Sequence, residues 1–446
     1  MAHALTLTCG STTINLSDGT AVILNGYVPN GAAQRNGEYA PVTETVEVTV
    51  TGATVAATLA TVRNIERLLQ LARERQTTQR GYRVWLNYTP NGESAHRSEV
   101  LEGQFAPVKS AAQGYNQKLI GYRLHITRLP WWEGPRTQIP LTNANGTNNT
   151  SGLTIYNHDD SGTGHDNYLQ IASTDVIGAL PAPVELRLTN SDGATRYYRN
   201  FYAANNRWGT GLAHIIEGET AIGGYGTAAS DAAASGGQYA TLTGSGWLTF
   251  RWYVPAAALE IIRGRYVRVL ARMFTFPSAV REMHLRVYDW TGLIARTPDQ
   301  TVWSNASGTI YWQDCGAVQL PPTEMSDDTE AWKDVVLELK IKTSGSETMA
   351  VDFVMLMPAE EGCFGHIVQE GYGIAANEIV VDGGSPVQTY AYDGVNRYEV
   401  YTAQSAPLMV WPGEAQRIYV AWDGTSGAIG WTLSAKAWYR PRKLTF

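Results

Sequence analysis

The chain has 446 residues, of which 44% are hydrophobic and only 17% are charged, and its formal net charge at pH 7 is −7. This length exceeds that of one ordinary domain, so we expect about two to four domains with hydrophobic cores. A negative net charge without a basic run argues against a general binder of nucleic-acid backbones.

The cysteines and the N-terminus indicate whether the chain is expected to carry disulfides or to be secreted. Cys9, Cys315 and Cys363 are widely spaced and form neither a CxxC pair nor a zinc-binding spacing. Buried free thiols are the first expectation, and a Cys315–Cys363 disulfide is the alternative. The N-terminus lacks a basic segment followed by an apolar run, which predicts a chain without a signal peptide. No run of about 18 apolar residues occurs, so we expect no membrane span.

The first 131 residues combine strand patterns with one helix pattern. Residues 43–50 alternate valine with polar residues, which is typical of a half-buried strand. Apolar residues then recur at helical spacing from Leu59 to Ala72 and predict a helix over residues 55–75. Two further strand patterns follow it, over residues 82–88 and 119–129.

This order of strand, helix, strand, turn and strand ends in the segment Arg128 to Gly134, which contains Trp131 and Trp132. It resembles the N-terminal ring domain of siphophage distal tail proteins. The resemblance implies a tail-tube-like β-sandwich with one flanking helix over residues 1–131. It also implies assembly into a ring, expected to be hexameric. The alternative is an unrelated β-sandwich with one packed helix.

Short strand patterns lie on both sides of residues 213–358. Those in 132–212 are too few to close a sandwich alone. The missing strands lie in 359–446, where a Pro-Gly turn, a strand, a Trp-Asp turn and a terminal Tyr-Arg-Pro-Arg resemble the C-terminal half of siphophage tail components. We therefore expect 132–212 and 359–446 to form one galectin-like β-sandwich that an inserted domain interrupts. A surface loop tolerates such an insert when its ends lie close together.

The inserted residues 213–358 begin and end with acidic strand patterns. Glu217 and Glu219 lie two apart, so on a strand they point to one face. A closing strand that carries Asp352 could share one hard cation with them. The order of these pieces resembles the jelly-roll carbohydrate-binding modules that begin with a Glu-x-Glu strand. Distal tail proteins with such an insert are a known variant of their family. The resemblance implies a structural Ca²⁺ held by Glu217, Glu219 and Asp352, and the alternative places both glutamates in solvent on an edge strand.

Four aromatic residues of this segment are candidates for sugar contact, because aromatic rings at a loop rim suit the apolar face of a pyranose. Tyr225 lies in a glycine-rich loop after Glu219, and three tryptophans occupy the segment before Leu320. Core packing is the alternative for each ring. The four candidates are Tyr225, Trp290, Trp303 and Trp312.

Together these patterns predict a mainly β structural protein without enzymatic activity. By resemblance, it is a distal tail or baseplate hub subunit in the virion of a tailed phage, made in the cytoplasm of the host bacterium. Its expected partners are copies of itself in a ring, the tail tube protein, other tail-tip hub proteins and a host-surface polysaccharide. The alternative is a polysaccharide-active enzyme with an ancillary carbohydrate-binding module. No segment remains for a catalytic domain of several hundred residues, which favours the structural role.

Overall fold

The computed structural model describes residues 3–35, 38–78, 81–108, 119–147, 150–156, 167–190, 198–206, 215–232, 234–275, 282–289, 291–301, 311–322, 335–358, 362–366, 378–383, 388–392, 394–397, 407–424 and 432–446. The protein is mainly β, as predicted. It divides into two compact units. Unit 1 comprises Met1–Thr137, Gly178–Pro181 and Arg440–Phe446, and unit 2 comprises Gln138–Ile177 and Ala182–Tyr439. Among the described residues, neither helix has the length and apolar character that crossing a bilayer requires.

Unit 1 is a β-sandwich flanked by one long helix. Its elements are β1 (Ala4–Cys9), β2 (Thr12–Asn15), β3 (Val22–Leu24), β4 (Gln34–Arg35), β5 (Glu38–Tyr39), β6 (Val42–Thr51), α1 (Val55–Thr78), β7 (Val84–Thr89), β8 (His96–Pro107), β9 (Leu119–Arg128), β10 (Trp132–Glu133) and, from the C-terminus, β34 (Arg442–Lys443). The strand order is β2-β1-β7-β8-β9-β6-β3, and β10 pairs with both β8 and β34. Strand β8 pairs with β7 through residues 96–99 and with β9 from Val100 onward, with a register shift in the β9 pairing after Val100.

The helix α1 forms where the apolar periodicity predicts it. Its first turn is capped by Thr54, whose Oγ1 accepts a hydrogen bond of 3.1 Å from the amide of Ala57. The helix continues past the predicted end at residue 75 and is followed by Gly81, which adopts a φ of +82° that favours glycine. Its buried face packs into the core of unit 1 through Thr58, Val62, Ile65, Leu68, Leu69 and Ala72.

Unit 2 contains a sandwich of two sheets. Its strands are β11 (Thr137–Ile139), β12 (Thr142–Asn143), β13 (Gly146–Thr147), β14 (Leu153–Tyr156), β15 (Tyr168–Ile171), β16 (Ala182–Asn190), β17 (Tyr198–Asn206), β27 (Gly362–His366), β28 (Glu378–Asp382), β29 (Gln388–Tyr392), β30 (Asn396–Arg397), β31 (Met409–Val410), β32 (Gln416–Gly424) and β33 (Thr432–Tyr439). One sheet has the order β11-β33-β16-β28-β29-β30, and the other has the order β13-β12-β15-β32-β17-β27.

Both sheets combine strands from before and after residues 213–358. In the first, β16 lies between β28 and β33, and in the second, β17 lies between β27 and β32. A shared core includes Leu186, Val381 and Leu433. This pairing has the form expected of one sandwich built from two chain segments. The boundaries at residues 131, 212 and 358 stay predictions.

Between those segments the chain forms a jelly roll. Its elements are β18 (Ile215–Glu217), β19 (Thr227–Ser230), β20 (Gln238–Tyr253), α2 (Ala256–Ile262), β21 (Tyr266–Thr275), β22 (Glu282–Asp289), β23 (Gly292–Arg296), β24 (Gln300–Thr301), β25 (Tyr311–Gln319) and β26 (Val336–Pro358), with single 3₁₀ turns at Gly218–Thr220 and Ser235–Gly237. The first half of β26 pairs with the end of β20 and with β22, and its second half pairs with the start of β20, with β18 and with β21.

A separate apolar cluster joins the jelly roll to the sandwich inside unit 2. Trp312, Phe353 and Met355 of the jelly roll pack with Tyr202 and Tyr419 of the sandwich. Trp312 is only 2% exposed, and its ring meets that of Phe353 edge-on with centroids 5.1 Å apart. Trp312 is therefore packed in the core and offers no open ring face to a sugar.

Cys9 and Cys315 are buried free thiols, as predicted. Burial raises the pKa of the Cys315 thiol, so the side chain stays protonated at neutral pH. The side chain of Cys363, the alternative disulfide partner of Cys315, lies outside the described residues.

Candidate functional site

The Glu-x-Glu segment does not form one continuous strand. Strand β18 ends at Glu217, and Glu219 lies in the following 3₁₀ turn. The hydroxyl of Thr220 donates to the carbonyl of Glu217 at 2.6 Å, and the amide of Ala221 donates to the carbonyl of Gly218 at 3.0 Å, which closes the turn. The two glutamates therefore do not share a strand face as the alternating pattern predicted.

Asp352 is buried in an ion pair with Arg272. Its Oδ2 lies 2.9 Å from Nη1 of Arg272, and its Oδ1 accepts a hydrogen bond of 2.9 Å from the amide of Ser235. Arg272 and Asp352 are 1% and 0% exposed, so a guanidinium already balances this carboxylate away from water. The structure therefore places Asp352 against Arg272, whereas the prediction had paired it with a cation. No group of three or more His, Cys, Asp or Glu side chains suited to a metal occurs within the part of the chain that the structure describes.

The calcium site at Glu217, Glu219 and Asp352 stays a prediction. If they hold a cation, EDTA will lower the melting temperature of the full chain, because a ligand of the folded state stabilises it by mass action. Replacing Glu219→Ala would remove that sensitivity. Differential scanning calorimetry with and without EDTA measures it, and a melting temperature that EDTA leaves unchanged would contradict calcium binding.

Tyr225 lies beside the end of β20 rather than on an isolated loop rim. The amide of Ile222 donates to the carbonyl of Arg251 at 2.8 Å, which fixes the loop against the strand. The Cζ of Arg251 lies 4.1 Å from the ring centroid of Tyr225, a cation–π distance. The other two predicted sugar residues, Trp290 and Trp303, lie outside the described residues.

Tyr225 borders a sheet surface, here called the outer face, that the β20–β26–β22 part of the jelly roll presents away from its core. The alternate residues of these strands, such as Phe250, Leu339 and Leu285, are buried in the core. Residues directly opposite one another on paired strands share a face. The outer face therefore has four cross-strand rows: Trp247–Lys342–Glu282, Thr249–Lys340–His284, Arg251–Glu338–Arg286 and Tyr253–Val336–Tyr288.

Charged side chains in these rows pair across the strands. Glu338 is 1% exposed and lies between two arginines, hydrogen-bonded to Nε of Arg251 and 3.5 Å from Nη1 of Arg286. At the other end, Nζ of Lys342 lies 2.9 Å from Oε2 of Glu282. Because these partners are held on a regular sheet, their positions are fixed by strand pairing rather than by loops.

His284 lies beneath Trp247 on this face. It is 2% exposed, and its ring centroid lies 4.7 Å from that of Trp247. Burial, followed by the positive charges of Arg296 and Arg286, holds the pKa of His284 below its ordinary value. Asp299, whose Oδ1 lies 2.8 Å from Nδ1, acts in the opposite direction. His284 is therefore expected to be neutral at neutral pH.

This lowered pKa predicts how stability depends on pH. Because the unfolded chain binds the His284 proton more readily, it holds more protons than the folded chain once the pH falls below the ordinary value of 6.5. The free energy of unfolding should therefore be unaffected by this group above that pH and should fall below it. Urea unfolding at pH 7.5 and 5.5 measures the effect, and His284→Gln should lose less stability between the two than the parent chain. Equal losses would contradict the assignment.

Sequence reasoning missed the outer face, although a signal for it was present. Residues 247–253, 282–288 and 336–342 each alternate apolar residues with charged or aromatic ones, a period typical of strands with one solvated face. Only the pairing of β20 and β22 with β26 brings the three polar sets together.

Comparisons with known proteins give similarities at low identity. No protein-family model matches the chain, and no curated protein matches it. Among solved structures, the chain is similar to the SPP1 Dit (gp 19.1) protein, a hub adsorption apparatus in Gram-positive-infecting phages, at 8% identity over 98% of each chain with a TM-score of 0.31. It is similar to the phage P2 baseplate in its activated conformation with Ca at 8% identity over 99% of this chain and 98% of that one, TM-score 0.30. A family 35 carbohydrate-binding module from Clostridium thermocellum matches at 16% identity over 32% of this chain and 92% of its own, TM-score 0.22. Scores of this size leave the function to be argued from the residues themselves.

Proposed function

We propose that this chain is a non-enzymatic structural subunit of a phage tail tip, a distal tail or baseplate hub protein. In this role unit 1 assembles into a ring that joins the tail tube to the tip. The jelly roll of unit 2 binds a glycan of the host surface. The ring is a homo-oligomer, and its expected size is a hexamer.

The observation that carries this proposal is the pair of open sheet edges in unit 1. Strands β2 and β3 end the strand order, and no other described strand pairs with their outer edges. Unpaired edge groups are a template for pairing with another chain. An interface between different edges of neighbouring copies is head-to-tail, and such interfaces generate rings when the rotation closes.

The edge of β3 can be tested without disturbing its inner bonds. The carbonyl of Ala21 accepts from Thr51, and the amide of Asn25 donates to Glu47, so alternate residues of this segment face β6. By that alternation the amide of Leu24 faces outward. Proline is tolerated on an edge strand when its missing N–H faces away from the sheet. Leu24→Pro should therefore block edge pairing while β3 remains paired with β6.

Size-exclusion chromatography with light scattering, followed by negative-stain microscopy, tests ring formation by the full chain. The parent chain is expected to elute as a closed ring and Leu24→Pro as a monomer. Leu24→Ala, which shortens the side chain but keeps the N–H, should retain the ring. A parent chain that stays monomeric at its highest soluble concentration would contradict the proposal.

A further inference from the structure

The outer face is rich in cationic groups although the whole chain carries a net charge of −7. Strand β23 adds Arg296 beside Arg286, and Asp299 contacts Arg296 at 2.6 Å. Among the described residues of this face, five cationic side chains therefore stand against three anionic ones. The cationic set is Arg251, Arg286, Arg296, Lys340 and Lys342, and the anionic set is Glu282, Asp299 and Glu338.

Lys340 is the centre of this excess charge. It lies between Thr249 and His284 in the second row of the face and is half-buried. Lys342 is paired with Glu282, and Arg251 shares Glu338 with Arg286. Within the part of the chain that the structure describes, Lys340 has no carboxylate partner. A positive charge held at the middle of a sheet without a counter-ion attracts an anion from solution.

Aromatic rings border this charge at both ends. Trp247 is 36% exposed in the first row, and Tyr253 is 53% exposed in the fourth. Six residue steps along β20 separate them, a distance of about 20 Å at the rise of a β-strand. That span holds several pyranose rings in an extended chain. Exposed aromatic rings offer the apolar stacking surface that pyranose rings use.

A second, independent observation concerns His284, which lies in the second row of the face. The side chain of His284 is only 2% exposed, and its Nε2 has no hydrogen-bond partner among the described residues. A buried polar atom without a partner is rare in folded proteins and calls for an explanation. A polar group of a ligand seated beside Trp247 would supply the missing bond.

Resting on the glycan-binding role proposed above, we propose that the outer face binds an acidic polysaccharide whose units carry carboxylates, a chain of uronic acids. Lys340 pairs with a carboxylate near the centre of the bound segment. Trp247 and Tyr253 stack on sugar rings toward its two ends, and His284 hydrogen-bonds a hydroxyl or carboxylate beside Trp247. Arg251 and Arg286 add positive potential while Glu338 holds their orientation.

Isothermal titration calorimetry of the full chain with a galacturonic acid hexamer, in EDTA buffer at low salt, tests this inference. Binding is expected, and Lys340→Gln should raise Kd about tenfold because it removes a charge-assisted contact. Trp247→Ala should also raise Kd about tenfold. Lys436→Gln is the matched control, since Lys436 is likewise a half-buried lysine on a sheet of unit 2, and its Kd should equal that of the parent chain.

Two comparison ligands distinguish binding through charge from binding through the sugar rings. The methyl-esterified hexamer keeps the rings and removes the charge, and hexaglutamate keeps the charge and removes the rings, so both should bind at least about tenfold more weakly. Equal binding of either, a stronger response to a glycerol phosphate oligomer, or no binding of the galacturonic acid hexamer would overturn the inference. If circular dichroism shows that Trp247→Ala unfolds, Tyr253→Ala replaces it. Ring formation by the same sample reports on the tail-tip role separately.

Discussion

Replacing Arg128→Met is expected to lower the free energy of unfolding of unit 1 by about 3–5 kcal/mol, the usual cost of removing one partner from a buried ion pair. Arg128 and Glu44 are 0% and 1% exposed, and Nη2 of Arg128 lies 2.6 Å from Oε1 of Glu44. Methionine fills similar space but leaves the Glu44 carboxylate buried without its counter-ion.

The loss extends to the segment that precedes β4. Arg128 also donates to the carbonyl of Asn30 at 2.8 Å, and the amide of Asn30 donates to both carboxylate oxygens of Glu44 at 3.1 Å. The guanidinium lies 4.3 Å from the ring centroid of Trp132, a fully buried core residue. The pair therefore ties a loop, two strands and the core together.

The same two strands supply a matched control. Arg123 of β9 and Glu47 of β6 form a pair at 2.6 Å, but their side chains are 47% and 50% exposed. Exposed pairs contribute about 0–1 kcal/mol, so Arg123→Met should change the free energy of unfolding by less than about 1 kcal/mol. Urea unfolding of both variants measures the difference, and equal losses would show that burial of the Arg128–Glu44 pair is not what stabilises unit 1.

Gly218→Ala is expected to destabilise the jelly roll severely. A Cβ on Gly218 would lie 2.1 Å from the carbonyl oxygen of Val351 and 2.5 Å from that of Asp352. Both are backbone atoms, so the segment must move away from β26 to admit the methyl group. That movement would also stretch the hydrogen bond of 3.1 Å from Nε1 of Trp252 to the carbonyl of Gly218. A loss of about 3 kcal/mol or more is expected from overpacking together with the broken bond.

Gly223→Ala tests whether this effect is local. Gly223 lies in the loop that follows the same turn, and apart from its chain neighbours no atom of the described residues lies within 4 Å of an added Cβ. Its substitution should leave the unfolding transition unchanged. Tryptophan fluorescence during urea unfolding reports on both variants, since Trp252 is buried in the jelly-roll core. A Gly218→Ala chain as stable as Gly223→Ala would contradict the close contact between the turn and β26.

Local periodicity explains what the sequence predicted well. The alternating valines of β6 and the apolar repeat of α1 each specify one buried face, and that face is the one the core covers. The strand that carries Trp247 and Trp252 was predictable for the same reason, because its alternation also specifies one buried face. These elements are readable because their signal lies within a dozen or so neighbouring residues.

The site residues depended on contacts that periodicity does not encode. Asp352 has the sequence context of a metal ligand, but its partner Arg272 comes from β21, a neighbour determined by strand pairing. Trp312 lies beside the loop-rich segment in sequence, yet it is buried against the sandwich of unit 2. The outer face required knowing that β20 and β22 both pair with the first half of β26.

Immunogold electron microscopy of phage particles with antibodies against the purified full chain tests the tail-tip role most directly. The account predicts gold at the distal end of the tail, where the ring would join the tube to the tip. Gold on the capsid, or particles that carry no label while the chain is present elsewhere in the infected culture, would contradict it.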